Sequence, residues 1–343
     1  LRRQRQMCIR DSVSSDGGLI VLREVERRTR LSARLAACLD DPRAPGRIQH
    51  SHAEMIAFRT FMIAAGYEDT NDANILRRDP VFKMALERQP CGADLCSQPT
   101  LSRLENLPDI RALIRMGRMM VAVYCASFRQ VPKRIVLDID DTFDAVHGSQ
   151  QLRLFNAHYD EYGFQPIVVF DGDGRLVGAV LRPAKRPKGR EIAGHLRRLI
   201  REIRAHWPRV EILLRGDSHY CTPETLDLCR AQGVDFVFGV APNAALRRHI
   251  TDLEESTAKR FEAGKGDKVR RFKEVYDAAA SWTRVERIIA RVDVGPQGRD
   301  TRFIVTSLIG GRGKVLYEKI YCQRGRAENC LLYTSDAADE GHC

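Results

Sequence analysis

Two apolar runs that each end in aspartate constrain this chain more than any other feature. IVLDID spans residues 135–140 and VEILLRGD spans 210–217. Runs of Val, Ile and Leu this short predict strands. A buried strand that stops at a carboxylate brings that carboxylate to the sheet's edge, where ligands can reach it. Side chains alternate along a strand, so Asp138 and Asp140 share one face and Asp141 takes the other. Asp140 lies nearer the end and is the preferred candidate; Asp138 is the alternative. A third acid, Glu328 in YCQRGRAEN, falls in a predicted helix, with Tyr321 and Arg324 seven and four positions before it. That spacing places Tyr321, Arg324 and Glu328 on one helical face.

The pattern around these runs predicts two parts. Residues 13–130 read as helical throughout. LREVERRTRLSARLAACL ends before DDPRAPG, HSHAEMIAFRTFMIAAGY closes at Gly66, and DTNDANILRRDPVFKMALER breaks at Asp79-Pro80. SQPTLSRLEN offers Ser97 or Thr100 as an N-cap, and DIRALIRMGRMMVAVYCASF reads as a longer helix with Met116, Met119 and Met120 as core filler. From Val131 the period shortens. IVLDID, PIVVF and LVGAVLRP are strand-like, with Asp171-Gly172-Asp173-Gly174 as a hairpin turn. A helix follows at about 190–206, basic on its outer face, then VEILLRGD, a helix from Pro223 to Gln232, and VDFVFGV. The order βββαβαβ is that of a ribonuclease-H-like core. Residues 241–312 read as an insertion with a basic stretch and a hairpin around Gly295-Pro296-Gln297-Gly298, before a last helix starting near Lys314. The expected fold is thus α/β, with an all-helical domain ahead of a ribonuclease-H-like core carrying a β-rich insertion at about 241–312. There are no internal repeats.

Fifty-six Lys and Arg against 45 Asp and Glu give a net charge of +11, which favours a polyanionic partner such as DNA or RNA. No segment approaches the roughly 18 apolar residues of a membrane span, and the first residues have no apolar signal core, so no membrane role is expected. The ten cysteines include no C-x-x-C pair, which argues against a zinc ribbon or disulfide framework and for reduced thiols in the cytoplasm. Cys38, Cys125 and Cys229 read as small core residues. MCIRDS in residues 1–12 and LLYTSDAADE in 331–343 resemble translated adapter sequence and are expected to be foreign to the fold. These two ends carry +3 and −3, so the basic balance belongs to the body. The natural chain is expected to extend past Cys330.

Carboxylates at two strand ends and one on a helix suit two divalent metals that activate a nucleophile and stabilise a leaving oxygen on a phosphodiester. LDIDDT also fits D-x-D-x-T, the nucleophile motif of haloacid-dehalogenase-like phosphatases. That chemistry needs a late second acid, which the run Gly216 to Cys221 lacks, and it leaves Glu328 unexplained. His147, His158 and His219 could order phosphates or water, although each alone is more often structural. Arg215-Gly216-Asp217 is discounted as an adhesion motif because strand residues precede it. Arg182, Lys185, Arg186, Lys188 and Arg190 form a basic loop; beside a metal site it would contact DNA phosphates.

SSDGGLIVLRE, AGYEDTNDANILRRDPVFK, SQPTLSRLEN, LDIDDT, HGSQQLRLFNAHYDEYGFQPIVVFD, LRPAKRPKGR, LLRGDSHY and YCQRGRAEN together resemble bacterial insertion-sequence DDE transposases. They resemble the Tyr-x2-Arg-x3-Glu branch and, within it, the insertion-sequence thirteen-eighty group, over roughly 13–330. The resemblance implies cut-and-paste transposition with two Mg²⁺ ions, replaceable by Mn²⁺, on Asp140, Asp217 and Glu328. It also implies phosphate contacts from Tyr321 and Arg324, recognition of terminal inverted repeats by the helical domain, and a homodimer in the synaptic complex. The chain departs from that pattern after Asn329. Two other functions share these features: a host-domesticated nuclease that cuts without strand transfer, and a truncated, inactive DNA-binding repressor of transposition.

Overall fold

The computed structural model describes residues 16–325 apart from His147, Ser149 and Lys265. The two terminal segments expected to be foreign, 1–12 and 331–343, lie outside the described residues, as does Glu328. Contacts divide the chain into two compact units, with the division between Val123 and Tyr124.

The described part of the first unit is helical: α1 (Leu19–Thr29), α2 (Leu31–Ala36), α3 (His52–Ala64), α4 (Ala73–Leu76), α5 (Pro80–Ala85), α6 (Gln98–Glu105) and α7 (Ile110–Ala126), which runs across the division. Local chemistry sets these ends. The Ser51 hydroxyl accepts from the Glu54 amide at 3.2 Å, half of an S-x-x-E capping box that starts α3. The Asp79 carboxylate accepts from the amides of Val81 and Phe82 at 2.8 and 3.1 Å, and Pro80 takes the first helical position, where its missing N–H costs nothing. Phe58, Phe61, Met62, Phe82, Leu95 and Leu101 form the core of this unit, with the Phe58 and Phe82 rings edge to face at 5.7 Å. Each such side chain contributes about 1.5–3 kcal/mol on full burial. Met116, Met119 and Met120 are only half-buried on α7, so they are not the core filler the sequence led us to expect.

The second unit is built on an eight-stranded sheet. In chain order its strands are β1 (Arg134–Asp141), β5 (Ile167–Asp171), β6 (Leu176–Val180), β7 (Glu211–Gly216), β8 (Asp235–Val240), β9 (Val269–Asp277), β10 (Glu286–Gly295) and β11 (Gly298–Thr306). Their order across the sheet is β6-β5-β1-β7-β8-β11-β10-β9. β1, β7 and β8 are parallel, while β5 is antiparallel to both β1 and β6. Parallel neighbours need crossovers, and α9 (Pro223–Ala231) supplies the one between β7 and β8. α8 (Gly189–His206) leads from β6 to β7 and buries Ile192, Ala193, Leu196, Ile200 and Ile203 while exposing Arg190, Arg197, Arg198 and Arg201, the stripe expected of a 3.6-residue period.

Residues 241–312 supply α10 (Ala244–Ala263) and the hairpin β10–β11, and β11 pairs with β8, so this stretch extends the main sheet. One feature is absent from the sequence reading. A second, three-stranded sheet lies between β1 and β5 in the chain. It contains β2 (Asp144–Ala145), β3 (Leu154–Asn156) and β4 (Glu161–Phe164), in the order β2-β4-β3. Among the described residues no helix is long and apolar enough to cross a membrane. Cys38, Cys125 and Cys229 are buried free thiols; burial pushes those of Cys125 and Cys229 up to about 11 and about 12.

Candidate active site

The register between β1 and β7 pairs Asp138 with Arg215 and Ile139 with Gly216. One residue further along each chain stand Asp140 and Asp217. Equivalent positions on parallel neighbours face the same way, so D-x-D on one strand opposes R-x-D on the other, rung by rung. The inner rung is an ion pair. Arg215 donates from Nε and Nη2 to the two oxygens of Asp138, each at 2.6 Å, with side chains only 4% and 1% exposed. Burial pushes the Asp138 carboxyl above its ordinary range, against the pull of Arg215. The outer rung carries the two accessible carboxylates, 15% exposed at Asp140 and 31% at Asp217.

Neighbouring groups fix both carboxylates. Asp140 Oδ1 accepts from the Asp141 amide at 3.0 Å and Oδ2 accepts from Arg324 Nη1 at 3.0 Å. Asp217 Oδ1 accepts from the His219 amide at 2.8 Å, which closes the turn after β7, and the His219 ring stands 3.8 Å from Oδ2. Asp141 faces the other way, where its carboxylate accepts from the Tyr220 hydroxyl at 2.6 Å and from the Gln165 amide. The Tyr220 phenol is pushed far up, first by burial and then by the charges of Asp141, Asp140 and Asp217. It therefore stays a neutral donor to Asp141.

The C-terminal segment reaches the same edge. It begins as α11 (Gly313–Val315), passes through a π-type turn (Leu316–Ile320) and tightens into a 3₁₀ turn (Tyr321–Arg324). The regular α-helical face expected for Tyr321 and Arg324 is therefore replaced. In a 3₁₀ turn residues three apart eclipse, so Tyr321 and Arg324 align by that geometry instead. The Tyr321 hydroxyl sits where Gly239, near the end of β8, leaves room: a Cβ on Gly239 would lie 2.7 Å from it. The same Cβ would lie 3.3 Å from the Asp217 carbonyl carbon, so Tyr321 flanks the outer rung.

The basic loop divides. Lys185, Arg186 and Lys188 are exposed, whereas Arg182 is 7% exposed and committed to Glu191 at 2.9 Å. Arg182 thus holds the start of α8 and is not available to a phosphate. The phosphatase reading fails on access: Asp138, its nucleophile, has both oxygens bound inside the protein. His158 lies at the surface against Tyr159, with ring centroids 4.8 Å apart, and His147 lies outside the described residues. Sequence reasoning missed Arg215, Tyr220, Gln165 and Gly239. The matching two-residue spacings of D-x-D and R-x-D were the available signal for Arg215.

Among the described residues no group of three or more His, Cys, Asp or Glu side chains is placed to hold a metal ion. Asp140 and Asp217 supply two hard oxygen donors of the kind Mg²⁺ prefers, and a guanidinium already occupies one oxygen of Asp140. These two oxygen donors are of the chemistry a divalent cation takes, and the third expected donor, Glu328, lies outside the described residues.

The family described as transposase DDE domain group 1 matches residues 10–334. Among solved structures, the chain is similar to the piggyBac transposase synaptic complex with hairpin DNA, at 12% identity and a TM-score of 0.44. That match covers 87% of this chain and 62% of the other, so this chain spans less than two thirds of that relative's length. It is also similar to the Mos1 transposase paired-end complex with the left transposon end, at 12% identity and a TM-score of 0.22, covering 64% of this chain and 66% of that one. No curated protein matches the chain. By the family match over nearly its whole length, the chain belongs to the transposase DDE domain group 1 family.

Proposed function

We propose that this chain is a bacterial insertion-sequence DNA transposase of the Tyr-x2-Arg-x3-Glu branch, cutting and joining DNA at the ends of its element in the cytoplasm. One observation carries the reading: Asp140 and Asp217 stand at the same edge of adjacent parallel strands, with Arg324 on Asp140 and Tyr321 beside Asp217. The strand order β6-β5-β1-β7-β8, with only β5 reversed, supports a ribonuclease-H-like core. Asp140, Asp217 and Glu328 would hold two divalent cations, Mg²⁺ or Mn²⁺, which supply nucleophile activation and stabilise the leaving oxygen.

The protein's own part is placement. Arg324 and Tyr321 present a guanidinium and a phenol to the scissile phosphate. Hydrolysis breaks a P–O bond at the element end and frees a 3′-hydroxyl, which then attacks the opposite strand or the target. Lys185, Arg186 and Lys188 and the exposed arginines of α8 track the DNA backbone. The helical first unit recognises the terminal inverted repeats, and two copies act together in the synaptic complex.

The flanking genomic DNA supplies the test substrate, because inverted repeats there distinguish a transposase from a domesticated nuclease. Divalent-metal-dependent cleavage of that end DNA, abolished in Asp217→Ala with DNA binding retained, is the expected result. Binding without cleavage would leave a repressor.

A further inference from the structure

We infer that Arg215 is a positioning residue that seats the C-terminal segment against the sheet and so places Tyr321 and Arg324 at the carboxylate edge. The inference rests on the reading of that edge as the active site.

Arg215 spends two of its nitrogens on Asp138. The third, Nη1, donates to the backbone carbonyl of Ile320 at 2.6 Å. A planar guanidinium holds these directions rigidly, so the carbonyl's place is set by the orientation of the carboxylate. That carboxylate cannot wander, because Asp138 and Arg215 are register partners between β1 and β7 and both are buried.

Ile320 is where a tether is most needed. It ends the π-type turn, and its backbone, at φ −111° and ψ −60°, departs from helical values as the winding tightens into the 3₁₀ turn. A change of winding interrupts the regular ladder, and carbonyls at such a junction need donors from elsewhere. The next residue is Tyr321, and Arg324 follows within the same turn. The segment is thus held at two rungs: its backbone by Arg215 on the inner rung, and its Arg324 side chain by Asp140 on the outer one. This gives Asp138, the alternative ligand in the sequence, a different task. It orients the arginine that seats the helix.

Two variants separate this role from bulk stability. Arg215→Lys keeps the charge opposite Asp138 but has a single donor centre, which cannot span both the carboxylate and the Ile320 carbonyl. The double variant Asp138→Leu/Arg215→Met removes both charges, so neither is left buried without its partner. Hydrogen exchange is read at the amides of residues 316–324 and, as an internal control, at those of β1 and β7. Both variants are expected to speed exchange at 316–324 by at least about tenfold while the strand amides keep their protection. With end DNA at saturation, single-turnover cleavage should fall by at least about tenfold while the dissociation constant for that DNA changes by less than about threefold.

Unchanged exchange at 316–324 overturns the inference, as does faster exchange with undiminished cleavage. If the unsubstituted chain does not cleave, the active-site reading itself fails; the exchange result still decides whether Arg215 holds the segment.

Discussion

Gly239 shows what a single missing side chain can permit. Its absent Cβ would stand 2.7 Å from the Tyr321 hydroxyl and 3.0 Å from the Ser218 amide nitrogen, so the backbone of β8 and a phenol approach each other only because nothing lies between them. Gly239→Ala is expected to destabilise the protein by about 1–3 kcal/mol, the usual cost of overpacking a tight contact. Adding Tyr321→Phe removes the nearer obstacle and should recover most of that loss in urea denaturation. The Ser218 contact should leave a residue of it. A double variant no more stable than the alanine single would show that Tyr321 does not occupy this place. The preference for Asp140 over Asp138 rested on its place nearer the strand's end, since alternation separates only Asp141 from the other two. That Arg215 would claim Asp138 was harder to see, because the pairing lies between strands 77 positions apart. Arg182 misled for a related reason: a charge in a basic loop looks exposed until its partner Glu191 folds over it.

At the scale of elements, what could be read was what local chemistry decides. The turn Asp171-Gly172-Asp173-Gly174 joins β5 to β6 where the sequence places it, with Gly174 at φ +86°. There the Asp171 carboxylate accepts from the amides of Asp173 and Arg175 at 3.0 and 2.8 Å and from the Arg175 guanidinium at 2.9 Å. Asp171 is 5% exposed, so Asp171→Ala should cost about 1.5–3 kcal/mol, the range for hydrogen bonds to a charged group. Asp171→Asn keeps an oxygen for the two amides and should cost clearly less. Equal losses in the two urea midpoints would place the stabilisation in the ion pair with Arg175 instead. The winding of the C-terminal segment was not legible, since a π-type turn followed by a 3₁₀ turn answers to contacts with Arg215 and Gly239 on other strands. The three-stranded sheet β2-β4-β3 escaped for a different reason. Strands of two to four residues, with exposed side chains at most positions, show no period long enough to read.

Across the whole molecule, the same contrast separates interior strands from edges. β7 and β10 are buried almost throughout, and their Ile, Leu and Val residues announce them in sequence. β9, written VRRFKEVYD, closes one side of the large sheet and is exposed or half-buried at nearly every position. Its charges are what an edge strand carries to discourage pairing with other chains, and they make it read as a basic stretch instead of a strand. Net charge was legible from composition, but its placement was not: many arginines are consumed by internal partners, as Arg215, Arg182 and Arg287 are. These pairings leave the net charge unchanged, but they leave fewer arginines to face the proposed DNA, and the salt dependence of binding measures how many basic groups do. Each phosphate contact releases counterions and adds about 0.9 to the slope of log K against log salt. Substituting Lys185, Arg186 and Lys188 together by alanine should reduce that slope by about 2–3 and weaken binding about equally for end DNA and unrelated duplexes. An unchanged slope would take this loop off the DNA path, whereas a loss confined to end DNA would make the loop a reader of sequence and not of backbone.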